Sequence, residues 1–423
     1  MGMSINIETA SQGAQTLRDL APANKSSSGG RTVSIAQTGY RTATVSSRAE
    51  VLALAGDWRN LEKSSQGTTV FQAFDICLPW LTAYVFADQS SHQARIITVY
   101  DESGALIALV PLAIRKRGVI HMAEWIGEPL IQYGDMLMDP GADRAALRTV
   151  INHTVESWSV DGLYLRNVRA DSRIADVLEL SVGPDADPTH ARLNDDRVTA
   201  IADLKRFDSA EAYFDSFSKR SRKTRRRKRR DMEALGALSL ERVKAGPRAV
   251  ELTDLALNWK KAWLAERGLS SRTFLDVKAL ETLRTTVGRE SDGNPFQLFV
   301  QKLNDVPVAI EISLVSGEGC ASFIGTYDPS YDEMSPGKVQ MESTIRYGYE
   351  QGWPAYDMLA PMSEYKQSWS NTTVDVADYM LPSSLLGMAY RDAFLRGLRP
   401  ATKALFLALP ANLRSRLIRS TTV

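Results

Sequence analysis

The sequence predicts an α/β (α+β) protein built from two domains of one fold, and three observations predict it. The chain has 423 residues, about three times the ~150 residues usual for one domain. Two strand pairs that read as hairpins recur about one domain length apart, which points to a duplicated fold. Between Cys320 and Leu359, a strand, a small-residue loop, a helix and a second strand follow in order, the pattern of a βαβ unit. Hydrophobic residues make up 44% and charged residues 24%, an ordinary share for packed cores.

Charge and composition exclude several classes. With 51 Lys and Arg against 50 Asp and Glu, any basic surface has to be local. Two cysteines, Cys77 and Cys320, form no disulfide framework and no C-x-x-C pair. Four histidines, His92, His121, His153 and His190, make a histidine-rich metal site unlikely by count, so no metal is expected. The start shows no basic segment leading into an apolar one, and no apolar run approaches ~18 residues. The expectation is a protein of a reduced compartment, cytoplasmic, with contact to the inner membrane at most peripheral.

Along the chain, residues 1–45 are rich in Ser, Thr, Ala and Gly and read as a disordered leader. Its Asn6 stands where a myristoylation signal wants Ser or Thr. A first domain, 46–200, opens on a helix over 48–61 and another including 80–87. A hairpin follows, with strands 94–100 and 105–112 about the turn Asp101–Gly104. The loop 182–188, with Gly183, Pro184 and Pro188, separates the halves. The second domain, 201–390, begins with the segment 210–235, read as one long helix with a basic middle. Ten of the twelve residues 219–230 are Lys or Arg, and Gly236 supplies the stop. The second hairpin pairs 296–303 with 307–314. A strand over 320–327, the loop 328–338, a helix over 339–350 and a strand from Tyr356 complete the domain. The tail 391–423 mixes six cations from Arg396 onward with leucines and no acid. It suits an anionic membrane surface or, broken by Pro400 and Pro410, a helix packed on the domain.

The loop Ser335-Pro336-Gly337-Lys338 entering a helix at Val339 offers backbone N–H groups and a positive helix end to an anion such as a pyrophosphate. An ordinary βαβ unit closed by a Ser-Pro-Gly turn would read the same way. That loop, with Tyr356-Asp357-Met358-Leu359 and Glu364-Tyr365-Lys366-Gln367-Ser368-Trp369, resembles the acetyltransferase domain of CelD-like proteins. This family is a GNAT branch associated with cellulose and exopolysaccharide gene clusters. The basic run before Asp231-Met232-Glu233-Ala234 resembles the family as well, as do Phe71-Gln72, Pro79-Trp80-Leu81, Val110-Pro111-Leu112 and Tyr133-Gly134-Asp135 in the first half. The resemblance covers about 50–390. It implies two tandem GNAT-like modules, each a mixed sheet flanked by helices, arranged as in FemABX enzymes. The usual GNAT loop carries a second small residue where this chain has a single glycine.

What the resemblance implies is an acyltransferase that uses acyl-CoA as co-substrate and holds no permanent cofactor. The acceptor would be an envelope glycan or lipid precursor, possible in cellulose or exopolysaccharide biosynthesis. Ser335, Gly337, Lys338 and Val339 would hold the donor. Direct acyl transfer needs a base, an acid and oxyanion donors but no enzyme nucleophile, so scarce Cys and His are no objection. Glu311, on the returning strand of the second hairpin, is the candidate base; a solvent-facing strand Glu is the plain alternative. Tyr327 and Tyr365 are candidate acids or packing residues. Asp357 and Lys366 could bind a polar acceptor or pair with each other. Arg222 and Arg226, one turn apart, are expected to point at the cleft between the modules and bind an anionic substrate. A solvated basic face and nucleic-acid binding are the rival accounts of that run, and no DNA partner is expected because no DNA-binding motif flanks it. The rival functions are a long-chain acyltransferase of ceramide-synthase type, an aminoacyl-tRNA-dependent FemABX-like transferase and a silent partner of a polysaccharide synthase.

Overall fold

The computed structural model describes residues 33–34, 39–88, 90–180, 191–193, 197–269 and 271–409. From Thr32 onward the chain forms one compact unit around a single mixed sheet. Strands β1 (Val33–Ser34) and β2 (Arg41–Val45) come first. Helices α1 (Arg48–Ala53), α2 (Ala55–Ser64) and α3 (Phe74–Tyr84) follow. Next are β3 (His92–Tyr100), β4 (Leu106–Arg117), β5 (Ile120–Trp125), β6 (Leu137–Met138), α4 (Arg144–Glu156), β7 (Gly162–Arg169) and β8 (Arg197–Asp203). The second half runs α5 (Ala210–Asp215), α6 (Lys219–Glu233), β9 (Leu238–Lys244), α7 (Pro247–Glu266) and α8 (Val277–Gly288). It continues with β10 (Phe296–Leu303), β11 (Val306–Ser316), β12 (Gly319–Tyr327), α9 (Pro336–Glu350), β13 (Ala355–Asp357), α10 (Glu364–Gln367) and β14 (Thr372–Pro382).

The duplication expected from the hairpins is present in the pairing. In the first half β2, β3, β4 and β5 are antiparallel neighbours and β7 joins β5 in parallel. In the second, β9, β10, β11 and β12 repeat this and β13 joins β12 in parallel. Helices lie between corresponding strands in both, because a parallel return needs a crossover. The halves then exchange strands. β8 follows the first half in the chain but pairs with β13, while β14 follows the second and pairs with β7; β8 and β14 also pair with each other. This closes the sheet order β2-β3-β4-β5-β7-β14-β8-β13-β12-β11-β10-β9. The largest apolar core runs through both halves, from Ile97 and Leu165 to Ile312 and Ile324.

Several expectations are corrected. The leader was expected to reach residue 45, yet Arg41–Val45 is a strand, its edge paired with β3; most of the rest lies outside the described residues. The segment 210–235 is two helices, because Ser216 to Ser218 interrupt it. Ser218 caps α6 by accepting a hydrogen bond from the Ser221 N–H at 3.2 Å, and serines favour caps over helix interiors. Arg48–Leu61 likewise divides at Leu54. The motif helix begins three residues early, at Pro336, where proline's fixed φ and missing donor suit the first turn. Of the tail, Tyr390–Leu398 and Arg399–Ala408 are helical, and residues beyond 409 lie outside the described ones.

Candidate active site

β12 and β13 pair at only two positions, Cys320 with Tyr356 and Ala321 with Asp357. β12 then continues to Tyr327, whereas the other chain turns away at Leu359, whose φ is 62°. The gap between them is a cavity of about 680 Å³. Its edge is Ser322–Tyr327, and α9 enters it with Ser335, Gly337, Lys338 and Gln340. Met358–Ala360 and Ser363, Tyr365 and Lys366 form the facing wall. Both sheet faces contribute: Met341 and Glu311 from the α9 side, and Lys260, Trp263, Phe274 and Phe323 from the α7 side, with Gln132 from the first half.

The start of α9 is chemically open. Ser335 sits in the left-handed region (φ 56°, ψ 55°) and its side chain makes no capping bond. A helix start leaves backbone N–H groups without intrahelical partners and carries partial positive charge. Here that end lies at the cavity mouth beside Lys338. A Cβ at Gly337 would stand 3.4 Å from Tyr327 Cδ1, so a larger side chain would reach into the mouth.

Glu311 is buried, which removes the solvent-facing reading. Its carboxylate accepts from Ser313 Oγ at 2.6 Å, Tyr356 OH at 2.6 Å and Gln340 Nε2 at 3.0 Å. Burial raises its pKa against those hydrogen bonds, which favour the charged form. Tyr365 is 41% exposed, and its OH lies 3.5 Å from Met341 Sδ. Tyr327 donates to Asp332 Oδ1 at 2.5 Å. Lys366 Nζ donates to the carbonyls of Leu359 and Pro361 at 2.7 and 3.0 Å. Burial lowers its pKa to about 8, helped by Lys260 and opposed by Asp357.

Seven of the residues singled out from sequence therefore meet in one cavity: Glu311, Tyr327, Ser335, Gly337, Lys338, Tyr365 and Lys366. Four do not. Val339 is buried against Met232, Leu303 and Val308. Asp357 turns to the other side, accepting from Tyr133 OH at 3.1 Å, Thr199 Oγ1 at 2.8 Å and Arg169 Nη1 at 2.8 Å; Lys366 is thus not its ion-pair partner. Arg222 and Arg226 reach Asp215 at 3.2 and 3.5 Å and line a separate recess within the second half. Rather than point at the cleft, they turn to Asp215 of α5, beside Glu342 and Arg346 of α9. Sequence reasoning missed Gln340, Tyr356, Lys260 and Phe274. Of these, Tyr356 stood in the motif 356–359, where it opens the expected strand, and the other three left no signal.

A further arginine holds the site's wall. Arg225 is 8% exposed, with its guanidinium 4.3 Å from the Phe217 ring centre and 4.6 Å from that of Trp369. Its Nη1 donates to Ser368 O at 3.2 Å. The basic helix thereby anchors the end of α10, which carries Tyr365 and Lys366.

This geometry defines the class: a splayed parallel pair with a helix start aimed into the gap. Residues 219–367, about a third of the chain, match the acetyltransferase (GNAT) domain, which supports an acyltransferase. No curated protein sequence matches the chain. Among solved structures, FemX shares the fold at 13% identity and a TM-score of 0.56, over 80% of this chain and 98% of FemX. A conserved protein of unknown function from Bacteroides thetaiotaomicron aligns at 12% identity and TM-score 0.49, over 77% and 97% of the two chains. The C-terminal domain of a putative lysylphosphatidylglycerol synthetase from Agrobacterium fabrum aligns at 12% and 0.46, over 82% and 98%.

Proposed function

We propose that the second half transfers an acyl group from a coenzyme A thioester to an amine or hydroxyl of an envelope precursor, glycan or lipid. The observation that carries this reading is the uncapped start of α9 at the mouth of the β12–β13 gap. The Gly337 N–H, with the Lys338 side chain, binds the donor pyrophosphate, and the pantetheine arm enters the gap. Glu311 takes the proton as the acceptor oxygen or nitrogen bonds to the thioester carbon. The C–S bond then breaks, and Tyr365 or Tyr327 protonates the departing thiolate. A precursor acceptor and a CelD-like subfamily follow from the motifs at 335–338, 356–359 and 364–369. The cavity's apolar side, with Trp263, Phe274, Phe323 and Met358, favours as a second reading an acyl chain longer than acetyl.

Calorimetry with coenzyme A and a series of acyl-CoA thioesters tests both. Gly337→Val is expected to abolish measurable binding while the protein stays folded. Unchanged affinity in that variant removes the donor assignment, and equal affinity from acetyl to palmitoyl thioesters removes the second reading.

A further inference from the structure

The donor site leaves most of α6 unused. Its exposed positions are Lys219, Arg220, Lys223, Arg226, Arg227, Arg230 and Glu233, so six successive exposed positions before the last are all cationic. At ~100° per residue these six fall on one arc of about a third of the helix circumference, and at 1.5 Å rise they form a strip about 16 Å long. The other side is sunk into the protein: Arg225 and Met232 are buried, and Arg229 reaches Ser343 Oγ at 3.1 Å and Glu342 at 3.5 Å. Neutralisation of the strip is slight. Arg226 shares Asp215 with Arg222, and Arg227 stands 4.0 Å from Asp231. Lys219, Arg220, Lys223 and Arg230 have no acid partner among the described residues. A chain of net charge +1 thus concentrates its positive field on one strip, whose mutual repulsion a binding partner would relieve.

We infer that this outward strip of α6 docks the enzyme on an anionic lipid surface. A plane of negative headgroups matches a straight, shallow row of charges in which every exposed side chain is a long, flexible cation. Duplex nucleic acid fits less well. A helix reading the major groove must enter a channel roughly 8.5 Å deep and present hydrogen-bonding side chains to base edges. α6 has Arg225 and Met232 buried on its other side, so only about a third of its circumference is free to enter such a channel. The opposite side of the same helix reaches the donor loop, where Lys228 donates to the carbonyl of Glu333, so the strip faces away from that loop.

The test is co-sedimentation of the full chain with vesicles of phosphatidylcholine alone or with one-third phosphatidylglycerol. Wild type is expected to partition onto the anionic vesicles only and to be released by raising salt to about 0.5 M, where exposed charges are screened. The variant Lys219→Gln, Arg220→Gln, Lys223→Gln, Arg230→Gln leaves every inward contact of α6 in place. Each basic residue near such a surface contributes about fivefold, so the variant should lose at least thirtyfold in partitioning while its melting temperature and coenzyme A affinity stay unchanged. No binding of the wild type, equal binding to both vesicle types, or equal binding of the variant overturns the inference. Gel-shift retention of transfer RNA or a DNA duplex at salt that already releases the vesicles reassigns the strip to nucleic acid and overturns it as well.

Discussion

The two halves build the same gap and finish it differently. In the first half β5 and β7 pair in parallel at three positions, Met122 to Glu124 against Gly162 to Tyr164, and then separate as β12 and β13 do. There the chain fills its own opening. Trp125 Nε1 donates to Arg166 O at 3.0 Å, and the Gly134 N–H donates to Asn167 O at 3.2 Å. Ile131, Tyr133 and Met136 are buried behind them. The helix that follows is closed too: Asp143 accepts from the Ala145 and Ala146 N–H groups at 2.8 and 3.2 Å. A carboxylate thus stands where the second half leaves an open helix start. One fold is plugged and capped in one copy and keeps an open cavity with an uncapped helix start in the other.

The largest effect expected from this contrast is on catalysis. Glu311→Gln should lower kcat by ~10²-fold or more, the usual range for a general base, with coenzyme A affinity unchanged in calorimetry. If kcat and affinity fall together, Glu311 shapes the pocket and is not the base. The plug is the next target. An added Cβ at Gly134 would lie 1.9 Å from Trp125 Nε1, a fully buried ring with nowhere to go. Gly134→Ala should cost ~1–3 kcal/mol as overpacking, read as a lower midpoint in urea, while donor binding in the native fraction persists. A neutral result would show that the first-half gap is filled loosely.

Exchanging the two helix starts sharpens the comparison. Ser335→Asp puts a carboxylate at the open end of α9, as Asp143 stands at α4. It should weaken coenzyme A binding about tenfold or more, the order of one charged contact. Asp143→Ala should instead cost ~1 kcal/mol of stability as a lost cap and leave donor affinity alone. Equal donor affinity in wild type and Ser335→Asp would mean that the helix start is not where the phosphates bind.

The sequence made the hairpins, the loop 335–338 and seven of the cavity residues legible, because turn residues and β-rich runs mark local structure. What stayed hidden depends on distant partners. Asp357 looked free to bind substrate, yet Arg169 and Tyr133, far away in the chain, claim it through the exchanged strands. For Glu311 the sequence leaves a base and a solvent-facing strand residue open, because two of its donors, Gln340 and Tyr356, come from later elements. In the basic run, Arg222 and Arg226 are the residues the sequence points to, with a solvated face and nucleic-acid binding as rivals. Only the fold sorts Arg225 into an aromatic clamp, Arg222 and Arg226 onto Asp215, and Lys219, Arg220, Lys223 and Arg230 into an exposed row.

The smallest expected effect concerns pH, and it too separates the halves. In the plugged half Asp135 is fully buried, and desolvation raises its pKa to about 7 despite hydrogen bonds from the Met136 and Ile174 N–H groups. A raised carboxyl binds its proton more tightly folded than unfolded. The folded state therefore loses stability as pH climbs from about 4 to 7, where the unfolded carboxyl is already charged. Glu62, raised to about 7 by burial beside α3, adds in the same direction. In the open half Lys366 is lowered to about 8, so its charge is present at pH 7 and fades as pH rises past 8. Donor binding should weaken between pH 7 and 9 by a few-fold, about the worth of one partly exposed charge. Lys366→Arg should flatten that curve without moving the stability profile below pH 7. Asp135→Asn should do the reverse, flattening the stability decline between pH 5 and 7 and leaving donor affinity untouched. If either variant moves both curves, the halves are coupled through the shared sheet and are not divided into a scaffold and a site.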